Sequence, residues 1–88
     1  MVAKTVTVVN AQGLHMRPAG VLAKAAAAHK ECKVTLNVNG KSVNAKAVMQ
    51  IMSACIKCGT EVEIVCEGSE EEAVLNEVAA MFESGFGE

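Results

Sequence analysis

Polar and apolar residues alternate along Lys4-Thr5-Val6-Thr7-Val8-Val9, and this period of two predicts a half-buried strand with Val6 and Val8 on one face. Asn10-Ala11-Gln12-Gly13 breaks the pattern. From Pro18 to His29 the period lengthens: Leu22, Ala26 and His29 recur every three or four residues among good helix formers, which predicts a first helix with those residues inward. His29 then reads as a core-edge ring in the last turn, where positive charge suits the helix dipole. Alternation returns over residues 33–38, Asn39-Gly40 marks a tight hairpin, and Lys41–Asn44 is the return strand. Residues 47–54 predict a short second helix that is apolar on more than one side. Its Met49 and Met52 either fill a core or face a partner. Glu61–Cys66 is a fourth strand with Val62, Ile64 and Cys66 inward, and Ser69-Glu70-Glu71-Glu72 reads as a capping box for a third helix ending near Ser84. The order β-α-β-β-α-β-α defines an α+β chain whose helices must cover one sheet face.

Length and charge narrow the picture. Residues 1–88 suit a single domain, and with Phe82 and Phe86 as the only aromatics its core must be aliphatic. No apolar run approaches the roughly 20 residues that span a bilayer, and the N-terminus alternates rather than forming a signal peptide, so a soluble, cytoplasmic chain is expected. All eight basic residues precede position 58, and nine of the ten acids follow it. A basic half around His15 can steer an acidic partner or an anionic group. The overall pI near 5.7 and the lack of interleaved aromatics argue against nucleic acid as a partner. Four cysteines without a secretory signal read as reduced thiols. Cys55-Ile56-Lys57-Cys58 matches C-x-x-C but lacks a second close ligand pair for zinc and does not follow a strand as a thioredoxin-like motif would, so no metal site is expected.

The chemistry concentrates in Gly13-Leu14-His15-Met16-Arg17-Pro18-Ala19, where the strand pattern gives way to the helix pattern. Proline is tolerated in a first turn, and the amides there have no partner inside the helix, so the helix mouth is an anion site. A nucleophilic imidazole beside a guanidinium at that place points to chemistry on a phosphoryl group, with a polar cap as the plain alternative. The sequence identifies no second acid–base group near His15 and no phosphate-cradling glycine loop, which disfavours an independent enzyme.

These residues, with Asn39-Gly40-Lys41-Ser42-Val43-Asn44-Ala45-Lys46 and Ile51-Met52-Ser53 in register, make the chain resemble HPr, the histidine-containing phosphocarrier family of the bacterial sugar phosphotransferase system. The resemblance runs end to end. It implies an open-faced β-sandwich, with a four-stranded antiparallel sheet of order 1-4-2-3 under three helices. It implies that His15 accepts a phosphoryl group on Nδ1 from enzyme I and passes it to sugar-specific enzyme IIA components. Arg17 would pair with the phosphoryl oxygens, and the amides of Met16 and Arg17 would favour the added charge. The family's docking positions match Gly20, Lys24, Ala27, Val48, Met49 and Met52. No cofactor is implied, membrane permeases are reached only through partners, and a monomer is expected. A paralogue serving as a regulatory docking module or in a nitrogen-linked phosphorelay is the alternative. Three departures stand out. Ala47 occupies the place of the regulatory serine of many Gram-positive relatives, which removes both the hydroxyl and a favourable N-cap. Cys55 occupies a position that is often glycine, in a loop expected near His15. The turn before the second strand, around Lys30-Glu31-Cys32, is also one residue longer.

Overall fold

The computed structural model describes residues 1–87. It contains β1 (Val2–Thr7), α1 (Met16–Ala27), β2 (Cys32–Val38), β3 (Lys41–Asn44), α2 (Val48–Ser53), β4 (Glu61–Gly68) and α3 (Glu71–Glu83), closed by a 3₁₀ turn at Gly85–Gly87. The strands form one antiparallel sheet of order β1-β4-β2-β3, as the resemblance implies. Period-two burial does the work: Val34, Leu36 and Val38 of β2, Val43 of β3, and Val62, Ile64 and Cys66 of β4 all point into the core. There they meet Leu22 and Ala26 of α1, Ile51 of α2, and Val74, Val78 and Phe82 of α3. The opposite face stays polar. On it Asn37 donates to Glu63 Oε1 at 3.0 Å, and the Ser42 hydroxyl donates to Asn37 Oδ1 at 2.8 Å. Asn39 and Gly40 both have positive φ (52° and 78°), the geometry of a type I′ hairpin turn.

Three local expectations need correction. β1 lies two residues earlier than the alternation predicts, although Val8 remains buried and exchanges backbone hydrogen bonds with Thr60 and Gly59 at 2.9 and 2.8 Å. α1 runs from Met16 to Ala27, so Pro18 is its third residue and His29 lies beyond its end. A first turn tolerates proline at any of its three positions, because none of those amides has an intrahelical acceptor. His29 is half-buried and its Nε2 lies 3.2 Å from Glu77 Oε1, tying the end of α1 to α3. The capping box does not form. Ser69 donates its backbone N–H to the Glu31 carbonyl at 3.1 Å, and Glu70, left-handed at φ 57°, is the N-cap of α3 without a side-chain bond. No helix among the described residues is long and apolar enough to cross a membrane.

Candidate functional site

After β1 the chain must turn sharply to enter α1. The Asn10 carbonyl accepts the Gly13 N–H at 2.9 Å, closing the turn. Gly13 has φ +70°, and a Cβ there would collide with the Ile56 carbonyl and come within 2.9 Å of Lys57 Cα. Only glycine satisfies both demands. Leu14 then donates its N–H to the Ile56 carbonyl and buries its side chain, so the chain is pinned just before the imidazole.

His15 is the N-cap of α1, with extended backbone at φ −78° and ψ −168°. Its carbonyl accepts the Ala19 N–H at 3.0 Å, while its ring makes no capping bond to the helix. Because Pro18 has no N–H, the amides within α1 that are presented at the helix mouth are those of Met16 and Arg17. The His15 residue is half-buried, and the Arg17 residue is exposed. Both line an open cleft of about 440 Å³, walled by the loop from Val9 to Gln12 and by Glu83, Ser84 and Gly85. A positive helix end and a guanidinium therefore share one cleft with a nucleophilic ring, a combination that suits a transient tetrahedral anion. Glu83 is the opposing charge in the cleft wall, and Lys4 Nζ lies 3.8 Å from its carboxylate.

Comparison with known proteins bears on this geometry. A family model described as the PTS HPr component phosphorylation site matches residues 2–84. The phosphocarrier protein HPr of Treponema pallidum is 40% identical over 88 residues, covering 100% of this chain and 99% of the relative. Among solved structures, HPr-C-His from Thermoanaerobacter tengcongensis superposes with a TM-score of 0.94 at 34% identity, covering 100% and 98% of the two chains. Crh of Bacillus subtilis, a dimer with a swapping domain, gives a TM-score of 0.75 at 35% identity, covering 97% of each chain. The chain belongs to the HPr phosphocarrier family.

The positions that the resemblance implies for docking fall on two helices that pack against each other. On α1, Gly20 is half-buried with open space where a Cβ would stand, and Lys24 and Ala27 are exposed. On α2, Met49 is 71% exposed, whereas Val48 and Met52 are half-buried against the core. The two methionines thus divide the roles that the sequence left open, one outward and one partly inward. Met16 is also 65% exposed.

Ala47, which the resemblance sets at the place of a regulatory serine, is the N-cap of α2 and provides no side-chain cap. Cys55 adopts φ 53° just after the C-cap Ala54, which explains physically why glycine suits this position. Cys55 and Cys58 are exposed, while Cys32 and Cys66 are buried. Burial among apolar neighbours pushes the Cys66 thiol up to about 11, and the adjacent Cys32 adds to the rise. Two cleft residues lacked any local sequence signal, Asn10 and Glu83. Asn10 Nδ2 donates to the Gly85 carbonyl at 2.8 Å, a partner 75 residues away.

Proposed function

We propose that this chain is the phosphoryl carrier of a sugar phosphotransferase system, taking phosphate from enzyme I and delivering it to sugar-specific enzyme IIA components. One observation carries the reading: His15 stands at the mouth of α1 in the same cleft as Arg17. Neutral imidazole is a competent nucleophile near neutral pH. The Nδ1 lone pair forms the new P–N bond as the bond between phosphorus and the donor breaks, and the reverse exchange delivers the group onward. Arg17 pairs with the phosphoryl oxygens. The helix-mouth amides add about 0.3–1 kcal/mol, rising to about 2 kcal/mol in a partly buried setting. That modest grip suits a carrier, since a site that held phosphohistidine tightly would not pass it on.

The α1–α2 face, with Gly20, Lys24, Ala27, Val48, Met49 and Met52, serves as the docking surface for both partners. The exposed Met49 of α2 and the exposed Lys24 of α1 give this face an adaptable apolar contact and a positive charge for acidic-rimmed partners. The protein works in the cytoplasm as a monomer; sedimentation equilibrium giving the mass of one chain supports this, and a dimer like that of Crh overturns it. Labelled phosphoenolpyruvate and enzyme I should leave an acid-labile, base-stable phosphate on the protein, absent from His15→Ala. Label surviving that substitution overturns the assignment.

The similarity to Crh favours a second reading, a regulatory docking module. It predicts partner capture that does not depend on His15, and the same variant separates the two.

A further inference from the structure

We infer that Asn10 is a positioning residue for transfer through His15, latching the carrier loop to the C-terminal turn; the inference rests on the phosphocarrier reading. Apart from the thiols, Asn10 is the one polar side chain buried among the described residues, at 8% exposure. It makes two bonds in two directions. Its backbone carbonyl accepts the Gly13 N–H at 2.9 Å and so closes the turn leading into Leu14 and His15. Its side-chain Nδ2 donates to the Gly85 carbonyl at 2.8 Å, across the cleft that His15 and Arg17 share. The two walls of that cleft are thereby joined through one residue.

The amide's orientation follows from the chemistry. A flipped Asn10 would set its own carbonyl against that of Gly85, so the nitrogen must face the turn. Oδ1 is left buried with no partner among the described residues. An apolar residue here would relieve that orphan but take the donor away from the Gly85 carbonyl. The Asn10 side-chain bond thus fixes where the loop stops relative to Gly85. Gly85 itself packs against the same loop, with positions for Val9 Cγ2 and Asn10 Nδ2 at 3.5 and 3.7 Å from its would-be Cβ.

The test is rapid-quench transfer from phosphorylated enzyme I to the full chain, for wild type, Asn10→Ala and Asn10→Asp. A latch predicts that Asn10→Ala is slowed about tenfold or more per folded molecule, as expected for a small misplacement of a reacting group. Asn10→Asp adds a readout that a merely structural bond would not move. Ionised, its carboxylate repels the Gly85 carbonyl; protonated, its hydroxyl donates to it. Its rate relative to wild type should therefore rise as pH falls through the carboxyl's titration. Wild-type transfer in Asn10→Ala, or an Asn10→Asp deficit that ignores pH, overturns the latch and leaves the carrier reading intact. Where Asn10→Ala does not fold, the Asn10→Asp pH ratio decides. If wild type takes no label, the carrier reading fails, and backbone amide shifts of Gly13–Arg17 judge the latch alone: displaced in Asn10→Ala they support it, unmoved they overturn it.

Discussion

Leu14 donates its backbone N–H to the Ile56 carbonyl across 2.9 Å, so the residue before the imidazole is fixed to the loop that follows α2. The loop that ends at His15 and the loop that starts at Cys55 are therefore one mechanical unit. Thr60 and Gly59 reinforce it through Val8.

Gly13→Ala tests that unit most directly. The substitution forces a side chain into φ +70°, a strain of about 1–3 kcal/mol, and drives a Cβ into the Ile56 backbone, an overpacking of similar size. A loss of about 2–4 kcal/mol in urea unfolding is expected, together with slower phosphorylation of His15. A change within error of zero would mean that the two loops separate freely.

Cys55→Gly should act in the opposite sense. Left-handed backbone at φ 53° is unfavourable for cysteine and neutral for glycine. A gain of about 0.5–1 kcal/mol is expected once the extra freedom of the unfolded glycine is counted. Differential scanning calorimetry would show a higher Tm, and a lower one would contradict the reading.

Ala47→Ser supplies the missing cap of α2. Its hydroxyl can accept from an amide of the first turn, a gain of about 0.5–2 kcal/mol. Ala47→Val is the control, because its side chain offers no acceptor. Equal midpoints for the two in guanidinium would remove capping as the cause.

The thiols should divide by burial. A thiol-specific chromophore should react at once with Cys55 and Cys58, and with Cys32 and Cys66 only on unfolding. The raised Cys66 value also sets a pH dependence. Folding keeps this thiol protonated, so its contribution is whole below the unfolded value near 9 and is lost as pH rises toward about 11. Stability should therefore fall across that window, by about 1–2 kcal/mol, and Cys66→Val should flatten the slope. An unchanged slope in that variant would assign the alkaline loss elsewhere.

What the sequence disclosed followed the range of the interactions. Strand alternation, the Asn39-Gly40 turn and the Gly13–Ala19 run are local signals, and each marks its element, although β1 is shifted by two residues and α1 begins at Met16. The capping box at Ser69 failed for a nonlocal reason. Gly68 lies against the Glu31 backbone, the Ser69 N–H is taken by the Glu31 carbonyl, and the helix begins only after the left-handed Glu70. His29 was misplaced on α1 because periodicity does not report where a helix stops, and its partner Glu77 is on another helix. The cleft was half legible. His15 and Arg17 announce themselves two residues apart, but Asn10 meets Gly85 only after the whole chain has folded.

The six-residue α2 is shorter than any helix that persists alone in water, and its N-cap Ala47 makes no side-chain bond to the first turn. Its survival is borrowed from Ile51 beneath it and from α1 alongside. Amide exchange in this segment should thus run ahead of the sheet, opening without global unfolding. A protein that settles onto Met49 would slow that exchange, making the helix a gauge of occupancy as well as a contact.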